Sequence, residues 1–394
     1  MNCSSFINFN KNNLKFLILN VCGIKTKLIY PEFNDLLKKH DILCLTETKT
    51  DDLDEIDHED FCFHFKNRKK FSNVRSGGIA LGYRKSLENF IKPVKTDCPF
   101  VFWFSIDKKI FDLSQHVFIG IVYIPPVNTL YTSENAWSEI EYAFQNFQRN
   151  TDNIFLVGDF NSRTGTEKDF YEHSEFDAHF TEAFIDIVDE CNDVNILDDL
   201  NISRSRNSPD LIINSYGRKL LDFCKNNNMF ILNGRLDGDK IGKPTSRNLS
   251  VVDYVLSSTS CLSKIFGFEV LEFRKLYSDI HAPLFLCLRT CNVISETPIY
   301  HNYVKESIGK WKHDKSCEYN NNIDKNKTND ILTCLLCRFE DREHVDKPVV
   351  NDIVNNICDV LLNAAKSTFG LNVSNKNDKK YNQKKLNKEW FSTE

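Results

Sequence analysis

The chain is 394 residues long, carries 50 Lys and Arg against 55 Asp and Glu, and has a formal net charge of -5. That balance excludes recognition of nucleic acid through bulk positive charge, so any such contact must be local. With 41% hydrophobic and 12% aromatic residues the chain is not a disordered one either, and it can bury a substantial core.

Leu14 to Val21 reads as a strand, and Tyr30 to Lys39 as a helix opened by Pro31-Glu32 with Phe33, Leu36 and Leu37 on one face. Ile42 to Leu45 is a second strand, ending in Thr46-Glu47-Thr48. Ser76 to Tyr83 reads as a glycine-punctuated β-hairpin arm, Val101 to Ile106 as an alternating strand, and Val117 to Ile124 as a longer one closing on Pro125-Pro126. Glu134 to Phe147 has helical periodicity and leads into the apolar run Ile154-Phe155-Leu156-Val157. That run stops at Gly158-Asp159-Phe160-Asn161, which fits ordinary turn chemistry as well as a catalytic strand tip. Ser215 to Asn226 is helical, and Phe230 to Leu232, Val251 to Leu256 and Leu284 to Leu288 complete the strands. Strands outnumber helices and do not strictly interleave with them, which favours packed β-sheets flanked by helices over a doubly wound sheet.

Residues 162–214 interrupt this rhythm with an acidic stretch from Glu167 to Asp199, read as a solvated insertion. Its carboxylates lack the spacing and central glycine of a calcium loop, and Phe176 to Val188 is expected to supply a short amphipathic helix. Beyond Arg289 no further β-patterned run is seen, one helix is expected from Val349 to Ser367, and Asn375 to Lys388 is Lys/Asn-rich and linker-like. These signals divide the chain into a flexible start (1–13), a domain over 14–291 and a partly helical, linker-like tail over 292–394. The 14 cysteines are scattered singly, many in apolar runs, as expected of buried thiols in a reducing compartment. Cys334 and Cys337 have metal-like spacing but no partner pair, so a packed helix face is the better reading. Neither a signal peptide nor a run of ~20 apolar residues is present, so the expected place is intracellular, without membrane and without secretion.

Seven polar features stand in or beside apolar strands: Asn20, Glu47, Tyr123, Asp159, Asn161, Asp253 and Ser278-Asp279-Ile280-His281. As a set they are chemically complete for phosphodiester hydrolysis, which needs oxygen ligands for a hard cation, an activated water and donors for the charge that develops on phosphorus. A carboxylate beside a histidine raises the imidazole pKa and supplies positive charge at neutral pH.

In this order the residues resemble the endonuclease/exonuclease/phosphatase superfamily from roughly Leu14 to Leu288. The matching pieces are Leu19-Asn20-Val21, Leu45-Thr46-Glu47-Thr48, Val122 to Pro126, Gly158 to Asn161, Ser250 to Leu256 and Ser278 to His281. Within that superfamily, Asn161 to Gly165, Asn214 to Leu221 and Ile231 to Arg235 resemble the endonuclease domain of non-LTR retrotransposons. The tail segment Lys388-Glu389-Trp390-Phe391 resembles the linker that precedes the polymerase in such elements. The resemblance implies an α/β (α+β) fold, a four-layered, deoxyribonuclease-I-like sandwich of two packed β-sheets flanked by helices. It implies Glu47, Asn20 and Asp279 as the metal set for Mg2+, with Mn2+ as the alternative. Asp159 would activate water, Asn161 and Tyr123 would contact the phosphate, Asp253 would pair with His281, and Arg75, Arg163 and Asn128 would bind substrate. It further implies DNA as partner, a nuclear location and a downstream reverse transcriptase domain in a longer polyprotein. The alternatives are a phosphatase or phosphodiesterase acting on inositol phosphate, lipid or RNA, and an inactive binding remnant. Arg84, Arg204, Arg206, Arg218 and Arg247 are further loop or edge candidates for phosphate contact. One departure stands out: the superfamily has Ser-Asp-His contiguous, whereas Ile280 intervenes here, and a β-bulge that keeps Asp279 at the metal is the expectation.

Overall fold

The computed structural model describes residues 6–9, 12–54, 56–68, 75–127, 129–171, 194–291, 293–296, 305–340 and 347–374. Within the first compact unit, Met1–Thr297, the strands in chain order are β1 (Phe6–Phe9), β2 (Asn13–Asn20), β3 (Ile42–Thr46), β4 (Phe61–Lys66), β5 (Ile79–Arg84), β6 (Ile91–Val94) and β7 (Val101–Ile106). They continue as β8 (Val117–Tyr123), β9 (Ile154–Asp159), β10 (Met229–Ile231), β11 (Asp253–Ser258), β12 (Ile265–Val270), β13 (Leu284–Arg289) and β14 (Val293–Glu296).

Two six-stranded sheets form, ordered β12-β13-β2-β3-β5-β4 and β10-β11-β9-β8-β7-β6. Each contains one parallel pair, β2 with β3 and β8 with β9, and is otherwise antiparallel. Alternation along the strands divides the apolar side chains between two faces. Phe16, Ile18, Cys44, Ile119, Ile121, Phe155 and Val157 fill the core between the sheets. Leu17, Leu19, Leu43 and Leu45 pack outward with Phe33 and Leu37 of the helix Pro31–Lys38. On the opposite outside, Ile154, Leu156 and Val122 pack with Trp137, Ile140 and Phe144 of the helix Ala136–Gln148 and with Leu220 and Phe223 of the helix Ser215–Asn226. The result is the expected four-layered sandwich of helices, sheet, sheet and helices.

Within the two six-stranded sheets, three strands escape the sequence reading: β4, β6 and β12, each at the edge of its sheet. Beyond Arg289 the expectation of no further strand is corrected, because β14 pairs antiparallel with β1 from the N-terminal segment. In the second unit, Pro298–Glu394, β15 (Lys305–Ile308) pairs with β16 (Leu371–Ser374). Four-residue strands that lack a continuous apolar run carry too little pattern to be read. The expected C-terminal helix runs Lys347–Phe369, and Cys334 and Cys337 share the helix Lys325–Glu340, where Cys334 is exposed. The segments Phe176 to Val188, Asn375 to Lys388 and Lys388 to Phe391 lie outside the described residues.

Candidate active site

Strand parity explains why the polar tips converge. Asn20 continues the inter-sheet row Phe16, Ile18; Tyr123 continues Ile119, Ile121; Asp159 continues Phe155, Val157; and Asp253 precedes Val255 on the same face. Register places Tyr123 and Asp253 on either side of Asp159. Glu47 requires an extra device. Inward parity belongs to Thr46, so simple alternation would send the next residue outward, but Glu47 takes a left-handed φ of 51°. Its carboxylate Oε1 then accepts the Tyr123 hydroxyl at 2.9 Å. Gly158 is equally constrained: its φ is 131°, and a Cβ there would lie 2.2 Å from the Val122 carbonyl oxygen.

Asn20, Asp159, Asp253 and His281 are all buried. Asn20 Nδ2 donates to Asp159 Oδ2 at 2.9 Å, and the Asn161 backbone N–H donates to Asp159 Oδ1 at 3.0 Å. His281 Nδ1 bonds Asp253 Oδ2 at 2.8 Å, while Nε2 faces Asp159 Oδ2 at 3.9 Å. Asp159, Asp253 and His281 therefore form one tight cluster, in which the imidazole already takes Asp253 as its partner. The amide of Asn161 (φ 48°) donates to the Ile124 carbonyl at 2.8 Å.

Charge in this cluster is uneven. Burial, with the neighbouring Asp253 carboxylate adding repulsion, holds Asp159 above the usual carboxylate range. For His281 burial acts downward, but Asp253 and Asp159 outweigh it and carry the imidazole up to about 9. Burial, reinforced by the Glu47 and Asp159 carboxylates, raises the Tyr123 phenol. Lys49 Nζ lies 3.5 Å from Glu47 Oε2. The donors are carboxylate, amide and phenol oxygens, and three carboxylates (Glu47, Asp159, Asp253) face one imidazolium and one half-exposed ammonium. That donor set fits a hard divalent cation, which Glu47 and the oxygens beside it would hold.

The structure does not bring Asp279 into this cluster. The chain bends at Asp279-Ile280 instead of bulging within a strand. Asp279 is 63% exposed and paired with the buried Lys27 at 2.7 Å. Lys27 also donates to the Lys275 carbonyl at 3.0 Å. His281 is kept in place because its N–H donates to Ser278 Oγ at 3.2 Å while Arg247 N–H takes the Ile280 carbonyl at 2.8 Å. The expected substrate arginines are engaged elsewhere: Arg75 with Asp51 and Asp54 at 2.7 and 2.8 Å, and Arg163 in a two-pronged pair with Asp210. Arg84 pairs with Asp41, Arg204 with Asp198, and Arg206 is buried beside Asp169. Asn128 lies outside the described residues. Lys27 and Lys49 were missed as parts of this constellation; only Lys49, two residues after Glu47, left a trace in the sequence.

The profile of the endonuclease/exonuclease/phosphatase family matches residues 19–262, more than half of the chain. The chain belongs to that family. Members of the endonuclease/exonuclease/phosphatase family are hydrolytic nucleases and phosphatases, generally dependent on a divalent metal. Among solved structures, the chain is similar to the endonuclease domain of TRAS1, a telomere-specific non-LTR retrotransposon, with 12% identity, 70% of this chain and 98% of that chain covered, and a TM-score of 0.44. It is also similar to the AP endonuclease LMAP from Leishmania major (13% identity, 71% and 88% covered, TM-score 0.49). A third similar structure is the 3'-5' exonuclease of Neisseria meningitidis (14% identity, 69% and 98% covered, TM-score 0.43). Comparison with curated proteins finds no match. Among the described residues no helix is long and apolar enough to cross a membrane.

Proposed function

We propose that the chain is a divalent-metal-dependent DNA endonuclease that nicks one strand to leave a 3'-hydroxyl, and that it derives from a non-LTR retrotransposon. The observation that carries this reading is the buried Asp159-His281-Asp253 cluster, with Asn20 on Asp159 and the Tyr123-Glu47 pair beside it. Asp159, its proton affinity raised by burial and its orientation fixed by Asn20 and the Asn161 N–H, takes the proton of the attacking water. His281, kept protonated by Asp253, donates from Nε2 to the phosphoryl oxygen on which charge accumulates. Asn161 has one amide N–H on Ile124 and keeps a second for the same phosphate. Tyr123 has its one hydroxyl proton on Glu47 and would turn it to the phosphate once a metal engages that carboxylate. A bound Mg2+, or Mn2+ in its place, held by Glu47 and the neighbouring oxygens, would neutralise the non-bridging oxygens.

The retrotransposon reading rests on the segments around Asn161, Asn214 and Ile231. Asn214 Oδ1 accepts from Gly217 N–H at 2.7 Å and Arg163 N–H at 3.0 Å, and Arg235 pairs with Asp169 at 2.7 Å. These residues hold the catalytic strand tips to the rest of the domain, so the shared pattern concerns scaffold as well as chemistry. We further propose residues 14–291 as the catalytic domain, 292–394 as a partly helical linker-like region ahead of a reverse transcriptase in a longer polyprotein, and the nucleus as the place of action. Supercoiled plasmid with Mg2+ should yield open circles, and Asp159→Ala and His281→Ala should each lower the rate by about 10²–10⁴-fold. Nicking that persists in both variants sinks the assignment, and phosphate release from inositol phosphates without nicking decides for a small-molecule phosphatase.

A further inference from the structure

Arg68 follows β4 and carries no role in the site as described. Its guanidinium lies over the Tyr123 ring at 4.7 Å and over the Tyr131 ring at 4.8 Å. The third wall of its seat is Gly77, where an added Cβ would fall 2.3 Å from Arg68 Cζ, and whose φ of 65° disfavours any other residue. Among the described residues no carboxylate pairs with Arg68, in contrast to Arg75, Arg84, Arg163 and Arg204. Stacking orients a guanidinium plane while leaving its in-plane N–H donors available. The seat is continuous with the catalytic cluster, because the same Tyr123 that Arg68 covers donates its hydroxyl to Glu47. On its far side opens a groove of about 420 Å³, walled by Pro99, Phe100, Leu130 and Tyr131, with Leu130 81% exposed and the Asp97 carboxylate on its rim, where its charge acts on Lys66. The neighbouring Lys66 is spent on structure, donating to the carbonyls of Thr96, Cys98 and Val101. Among the described residues, Arg68 is thus the cation of this groove that is left for a ligand.

We propose that Arg68 binds the phosphate of the nucleotide adjacent to the scissile one, and that the groove bordered by Leu130 and Tyr131 takes the base of that nucleotide. A stacked guanidinium with no carboxylate partner among the described residues, beside apolar and aromatic groove walls, matches the anionic backbone and flat apolar faces of a nucleic-acid strand. The inference rests on the nuclease reading above and adds a subsite to it. Arg68 is a substrate-binding residue here, distinct from the groups that act on the reacting atoms.

The test compares wild type, Arg68→Gln and Arg68→Lys on a short duplex oligonucleotide and on bis(p-nitrophenyl) phosphate, a diester with no neighbouring nucleotide. Arg68→Gln should raise KM for the duplex by about tenfold with little change in kcat, and lower the slope of log affinity against log salt by about one. Arg68→Lys should recover the salt slope but only part of the affinity, because the ammonium cannot stack as a plane. Hydrolysis of the small diester should fall far less than duplex cleavage in both variants. An equal loss on both substrates, or a fall in kcat at constant KM, overturns the proposal and makes Arg68 a support for Tyr123. Unchanged duplex KM and salt slope overturn it outright. A wild-type chain that neither binds nor cuts nucleic acid is distinguishable from these, since it defeats the nuclease reading first and this subsite with it.

Discussion

Two clusters of charge lie buried in the first unit, and they balance in opposite ways. Asp169 sits between Arg235 at 2.7 Å and Arg206 at 3.9 Å, and despite its burial these two guanidiniums hold its carboxyl below the usual range. Asp159 is equally buried, each of the two being 1% exposed. Yet its carboxyl is pushed up: burial acts on it with the Asp253 and Glu47 carboxylates adding repulsion, and among the described residues His281 is the one cation in the Asp159-Asp253-His281 group. Burial therefore does not separate the two clusters; the count of charges does. Asp169 closes its own charge and fastens the segment before residue 171 to β10, since its carboxylate also accepts the Ile231 N–H at 2.7 Å. The Asp159 cluster leaves negative charge open at the mouth between two sheets, where a cation and a phosphate would complete it.

The contrast breaks most visibly under substitution. Removing charge from the closed cluster, by Asp169→Asn, strands two buried guanidiniums and should cost about 3–5 kcal/mol in urea unfolding. The sign with pH follows from its lowered pKa. Stability from Asp169 is present above the ordinary carboxylate range and fades as pH falls through the folded value. The same change in the open cluster, Asp159→Asn, should shift unfolding by less than about 1 kcal/mol. Relief of crowding among the carboxylates offsets the mispaired Asn20 amide there. If Asp159→Asn destabilises as much as Asp169→Asn, the distinction between the clusters is wrong.

Two smaller effects sharpen it. Because His281 is held protonated up to about 9, nicking should decline above that pH, roughly tenfold per unit at the limit, and His281→Asn should flatten this limb. A flat alkaline limb in wild type would remove the imidazolium from the account. Lys27→Met should lower kcat by a few-fold, since Lys27 fixes Asp279 and the Lys275 carbonyl in the bend that delivers His281. An effect as large as that of His281→Asn would mean that Lys27 touches the chemistry itself.

The central strands were legible because both of their faces are covered, which gives continuous apolar runs with sharp polar ends. Asn20, Tyr123, Asp159 and Asp253 stand at those ends, and period-two alternation alone puts all four on the inter-sheet face. The edge strands β4, β6 and β12 were not legible. Pro93 sits in β6, Gly267 interrupts β12, and β4 is mostly half-buried, as edges tolerate and centres do not. The geometry around Ile280 was not legible either. A one-residue insertion was expected to bulge within a strand, but Lys27, 252 residues away in sequence, captures Asp279 and turns the insertion into a bend. Long-range partners of this kind leave no local mark. The same holds for Arg75 and Arg163, which look like free surface arginines until their carboxylates are seen.

The most direct measurement is the nicking rate of supercoiled plasmid across Mg2+ concentrations for wild type and Glu47→Gln. Wild type should be silent in EDTA and saturate with Mg2+, and Glu47→Gln should need far more Mg2+ or remain silent. Equal rates for the two proteins at every Mg2+ concentration, or undiminished nicking in EDTA, would contradict the claim that the open negative charge between the sheets is what makes this cluster an active site.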